Sequence, residues 1–133
     1  MRRAFTLVAM IVAGTTAVPT AARDRAAVPA VAPDGEPRNC IPLSTIHETI
    51  VRSDRVIDFR AAGRRTYRVT LPHACPGLGF ERRFAYATSL GQLCAQDIIT
   101  VLYQTGASRG ASCGLAPFQP VTLAPAGRSA RKR

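Results

Sequence analysis

Four cysteines, two histidines, eight carboxylates and eighteen basic side chains are the groups with which this 133-residue chain could do chemistry. The cysteines are Cys40, Cys75, Cys94 and Cys113, so the intervals are 35, 19 and 19. Zinc takes four nitrogen or sulfur ligands, commonly from close pairs such as C-x-x-C or H-x-x-x-H. Neither pattern occurs. His73 is two residues from Cys75, and His47 adjoins Glu48, but these make no ligand set. A dithiol exchange site also needs C-x-x-C, and a reactive thiol needs a cation or helix start to lower its pKa. An even number of widely spaced cysteines reads instead as two disulfides, which leaves no thiol for catalysis or metal binding. Three pairings are open. The favoured one joins Cys75 to Cys94 across a hairpin-sized loop and Cys40 to Cys113 across the ends of the domain. No metal and no cofactor is expected.

Acid–base catalysis needs two carboxyl groups across a cleft, one with a raised pKa. The central part of the chain offers Glu48, Asp54, Asp58, Glu81 and Asp97. Asp54 reads as a turn residue, Asp58 sits among arginines, and Asp97 follows the Cys94 turn where it can satisfy backbone donors. Gly106-Ala107-Ser108-Arg109-Gly110 has the G-x-S-x-G spacing but lies in a stretch that reads as a loop, not at a strand-to-helix elbow, so it does not support serine hydrolysis. The expectation is therefore a protein that is not an enzyme.

The arginines give the one positive signal. From Arg38 to Ala124 there are ten arginines against five acids, a net charge of +5. Arg60, Arg64, Arg65 and Arg68 gather around one predicted hairpin. Guanidinium groups bind phosphate and carboxylate through forked hydrogen bonds. These four are the candidate anion-binding residues. The partners such a face would suit are anionic envelope polymers, lipid headgroups or an acidic protein. Nucleic acid is not expected, because no stacking aromatics are interleaved with the arginines. Seventeen arginines to one lysine, with 22 alanines, also fits a purely compositional excess of charge.

The elements that must carry these residues read as β. Thr49 to Arg52 and Val56 to Arg60 flank the polar Ser53-Asp54-Arg55, as in a tight hairpin. Ala61 to Arg64 makes the next turn. Thr66 to Leu71 alternates, with Tyr67, Val69 and Leu71 inward and Thr66, Arg68 and Thr70 on a wet face. Pro72 to Gly79 is a loop with room for one helical turn. Arg83 to Thr88 is a strand with Phe84 and Tyr86 inward, and Asp97 to Tyr103 is a central strand. Gly106 to Gly114 reads as a loop. Phe118 to Leu123 is a last strand that Pro120 confines to an edge. Pro42 to Ile50 fits either a helical stripe or a strand, and a strand is preferred. The fold expected is mainly β: a small antiparallel barrel or sandwich, OB-like in its order of parts, of five to six short strands with two disulfides.

Residues 1–22 read as a signal peptide. Arg2 and Arg3 precede an apolar run from Ala4 to Ala13, and small residues up to Ala22 offer a cleavage site. Ten apolar residues are too few to span a bilayer, which takes about 20. Residues 23–38 are a flexible Pro/Ala-rich lead-in, 39–124 the disulfide-stapled domain, and 125–133 a basic disordered tail. The expected location is the periplasm or the exterior. A domain of this size buries only about 60% of the surface its unfolded chain exposes, so covalent bracing matters.

At the cysteines the chain resembles a family of small exported proteobacterial proteins with a four-cysteine domain and no assigned function. The residues that carry the resemblance are Asn39-Cys40, Arg52-Ser53-Asp54-Arg55-Val56 and Tyr67-Arg68-Val69-Thr70-Leu71. Cys75-Pro76-Gly77-Leu78, Leu93-Cys94 with Asp97-Ile98-Ile99, and Cys113 complete it. Its most specific element is Cys-Pro-x-Leu followed by Leu-Cys-x-x-Asp. Members of that family often carry Trp or other aromatics beside the first two cysteines, where this chain has Ile41 and Gly79-Phe80. The resemblance implies an exported disulfide domain and brings no substrate or catalytic residue. Together these readings lead to a non-enzymatic binding or structural accessory domain. The alternative is a small envelope enzyme or inhibitor whose pocket beside the Cys75–Cys94 loop gathers His73, Asp97 or Glu48.

Overall fold

The computed structural model describes residues 28–88, 90–105 and 108–124. Residues 1–22, read above as a signal peptide, and 125–133, read as a basic tail, lie outside them. The described chain is mainly β. Its strands are β1 (Val31–Pro33), β2 (Cys40–Pro42), β3 (Ile46–Val51), β4 (Val56–Ala61), β5 (Arg65–Thr70), β6 (Phe84–Tyr86), β7 (Gln92–Cys94), β8 (Ile98–Leu102), β9 (Arg109–Gly114) and β10 (Gln119–Leu123). One helical turn, α1 (Leu78–Glu81), falls at the end of the predicted Pro72–Gly79 loop. Short 3₁₀ turns occupy Leu43–Thr45 and Ala62–Arg64.

All pairings are antiparallel. Five strands lie in the order β1-β10-β5-β4-β3, three in the order β6-β8-β9, and β2 pairs with β7. Among the described residues no sheet closes on itself, so the closed barrel is not seen. The hairpin around Ser53-Asp54-Arg55 forms as predicted, with Val51 opposite Ile57. The prediction for Asp97–Tyr103 also holds: β8 is the middle strand of its sheet.

Alternation builds the core. Ile57, Phe59 and Ala61 of β4 face inward with Tyr67 and Val69 of β5, and meet Ile99 and Val101 of β8 and Ile41 and Leu93 of the β2–β7 pair. Burying each large aliphatic side chain contributes about 1.5–3 kcal/mol. Phe59 meets Phe118 edge to face, with centroids 5.4 Å apart.

Several expectations change. Among the described residues the strands number ten, because three-residue strands such as β1, β2 and β7 are too short to show a period in sequence. One of them, β1, lies inside the stretch read as a flexible lead-in, where its neighbour β10 supplies order that composition could not. Arg109–Gly114 is a strand although its glycines and serine read as a loop. The glycine at 110 leaves room for Tyr103, since a Cβ there would stand 3.2 Å from its ring. Tyr86 is 42% exposed and does not point into the core. Strand β10 is interior despite Pro120. The Pro120 carbonyl accepts the Asp34 amide at 2.8 Å, so the missing N–H faces the side where β1 has already ended.

The predicted disulfide pairing is replaced by Cys40–Cys94 and Cys75–Cys113. Cys94 pairs in register with Cys40 across the β2–β7 ladder, Cα to Cα 4.0 Å, so the local loop to Cys75 is not the one closed. Cys113 lies opposite inward-facing Ile99 on β9 and reaches the fully buried Cys75.

The hairpin turn is fastened to α1. The Asp54 carboxylate accepts the Gly79 amide at 2.7 Å, and the Asp54 carbonyl accepts the Cys75 amide at 2.7 Å. A Cβ on Gly79 would stand 3.0 Å from the Asp54 backbone nitrogen. Gly79→Ala is therefore expected to cost about 1–3 kcal/mol. A urea unfolding midpoint unchanged from the parent would refute this contact.

Candidate anion-binding groove

The four candidate arginines divide. Arg68 is buried on the outer face of the five-stranded sheet, contrary to the predicted wet face. Its Nε and Nη2 donate to the two Asp58 carboxylate oxygens at 2.7 and 2.9 Å, and its Nη1 donates to the Pro29 carbonyl at 2.7 Å. Arg52 Nε donates to the same carboxylate at 2.8 Å. Burial works to raise the Asp58 pKa, but hydrogen bonds and charge from Arg68 and then Arg52 outweigh it and hold it below its ordinary value. Arg60 is exposed and donates to Glu48 on the neighbouring strand at 2.7 Å. Arg60 and Arg68 are thus both engaged by carboxylates of neighbouring strands.

Arg64 and Arg65 remain, and the fold brings Arg38 to the same place. Strand β10 is the floor. On one side the chain leaves β1 and runs along it as a loop, 34–38. That loop is fastened by the Asp34 backbone amide to the Pro120 carbonyl, by Arg38–Phe118 backbone bonds at 2.9 and 2.8 Å, and by the Gln119 side-chain Nε2, which donates to the Gly35 carbonyl at 2.8 Å. On the other side is the turn into β5, where Gly63 has φ +73° and Arg64 follows at φ +60°. A non-glycine residue in the left-handed region is uncommon, and here it follows a glycine that completes the reversal.

The two walls enclose an open cavity of about 750 Å³, lined by Asp34, Glu36, Arg38, Arg64 and Arg65 with buried Tyr67 at its base. Among the described residues none of these three arginines makes a salt bridge. Arg38 is the residue that sequence reading missed. It is 26 positions from Arg64, and only the placement of β10 between β1 and β5 joins them.

The acids and cysteines weighed for chemistry are engaged elsewhere. The Asp97 carboxylate accepts the Cys94 amide at 2.7 Å, as its position suggested, and Glu81 accepts the Gln104 amide at 2.9 Å. With Asp54, Asp58 and Glu48, all five acids weighed for acid–base work hold donors in this domain. All four cysteines are in disulfides. Among the described residues no three His, Cys, Asp or Glu side chains gather as a metal site. Asp97 borders a smaller cleft of about 470 Å³ with Tyr86 and Arg109, but His73 and Glu48 do not line it.

Fold and groove define a small, disulfide-braced antiparallel β-domain with an arginine-lined recess. No family model, curated protein or solved structure matches the chain.

Proposed function

We propose that this chain is an exported, non-enzymatic binding domain of the periplasm or exterior, which holds an anionic group of an envelope component in the groove at Arg38, Arg64 and Arg65. The observation that carries the reading is the gathering around one cavity of three arginines that, among the described residues, make no salt bridge. Two disulfides fit an oxidising compartment, and among the described residues no helix is long and apolar enough to cross a membrane. The occupied carboxylates and thiols support a role in binding over one in catalysis. We also assign the chain to the exported four-cysteine family it resembles, and read its sheets as the layers of a small sandwich around the shared core.

The test is binding to vesicles containing phosphatidylglycerol. Affinity should fall steeply between low and physiological salt, and Arg64→Ala/Arg65→Ala should weaken it by roughly tenfold or more, the loss of charge-assisted hydrogen bonds. Arg60→Ala should change it little. Binding that ignores salt, or falls equally in both variants, would remove the groove as the site.

A further inference from the structure

The groove is not uniformly basic. Its turn wall carries Arg64 and Arg65, whereas its loop wall carries Asp34 and Glu36 beside Arg38. The walls flank β10, and two strand spacings of about 4.8 Å place their backbones about 10 Å apart. Side chains from both sides can therefore meet one small molecule. Among the described residues Asp34 and Glu36 make no salt bridge, and the sole hydrogen bond to an Asp34 oxygen comes from Thr122 at 3.4 Å. A site for a bare anion gains nothing from two carboxylates, which repel it.

We infer that the groove takes a zwitterion, a phosphate bearing a short ammonium arm, of which phosphoethanolamine is the type. The inference rests on the anion-binding reading above and names its ligand. The phosphate lies against the turn wall. Two adjacent guanidinium groups with Arg38 offer more donors than a carboxylate can accept, and a phosphate has the oxygens to use them. The ammonium lies against Asp34 and Glu36. Both carboxylates are acceptors only, so they favour a primary amine with N–H donors over a quaternary one.

The experiment is titration of the disulfide-intact protein with phosphoethanolamine, phosphocholine and ethyl phosphate. It is read by amide shifts of Gly35, Gly63 and Arg64. Phosphoethanolamine should bind about fivefold tighter than ethyl phosphate, the scale of partly exposed ion pairs, with phosphocholine weaker than phosphoethanolamine. Asp34→Asn/Glu36→Gln should abolish that preference, whereas Arg64→Ala/Arg65→Ala should weaken all three probes. Ethyl phosphate binding as tightly as phosphoethanolamine would overturn the inference and leave the anion site standing. No shift with any probe would overturn both. Sedimentation with phosphatidylethanolamine or phosphatidylcholine vesicles separates the sources. Preference for the first supports a lipid headgroup, and binding of the soluble probe alone supports a free or polymer-borne group.

Discussion

Asp58→Ala should lower the unfolding free energy by about 3 kcal/mol, read from the urea midpoint. The carboxylate is fully buried and is ion-paired with two guanidinium groups, one of them buried. Its removal leaves Arg68 charged, desolvated and bonded only to the Pro29 carbonyl. Arg52 keeps partial access to solvent, which places the loss at the lower end of the usual range for breaking a buried pair. Replacing the whole cluster by Arg52→Met, Asp58→Leu and Arg68→Met should recover most of that loss, since no uncompensated charge remains. A triple variant as unstable as Asp58→Ala would show that charge pairing is not what the cluster contributes. Acid gives the same answer by another route. Folding holds the Asp58 pKa below its ordinary 3.8, so its contribution is complete above that value. It is lost as pH falls through the depressed folded value. The parent should lose stability through this range more steeply than the triple variant.

That cluster also shows where sequence reading ends. The sequence sets Asp58 among arginines and Arg68 on a strand of period two, and the structure agrees on both. Period two assigns Arg68 to the face opposite Tyr67 and Val69, but does not say whether that face meets water. Asp58 and Arg68 are register partners of β4 and β5, and an ion pair in register lets both sink. The hairpin at Ser53-Asp54-Arg55, the inward set Tyr67, Val69 and Leu71, and the central position of β8 were legible because each is a local pattern. The groove was half legible. Arg64 and Arg65 stand together in the chain, but Arg38 joins them through β10. Pro120 hid that strand's interior place, because the cost of a missing N–H depends on which side it faces. Three-residue strands such as β1 and β2 carry too little pattern to be seen without their partners.

The cysteine pairing is the costliest misreading, and it bears on the largest predicted effect. Proximity in sequence favoured Cys75 with Cys94. The ladder instead sets Cys94 against Cys40, and the remaining two close across the core. The bridges span 54 and 38 residues, for which chain entropy assigns about 4 kcal/mol each. Removing both is therefore a loss of about 8 kcal/mol against a typical net stability of 5–15 kcal/mol. The quadruple cysteine-to-alanine variant should show no cooperative thermal transition, whereas either double variant should still melt, at a lower temperature. Trypsin maps the pairing, because Arg52, Arg82, Arg83 and Arg109 put the four cysteines on separate peptides. Cys75 is fully buried, while Cys40 and Cys94 are only half-buried, so mild reduction should open Cys40–Cys94 first and leave Cys75–Cys113 intact. A first-reduced bridge at Cys75–Cys113 would show that burial of Cys75 does not protect it, and a digest joining Cys75 to Cys94 would require β2 and β7 to part and the core to be built another way.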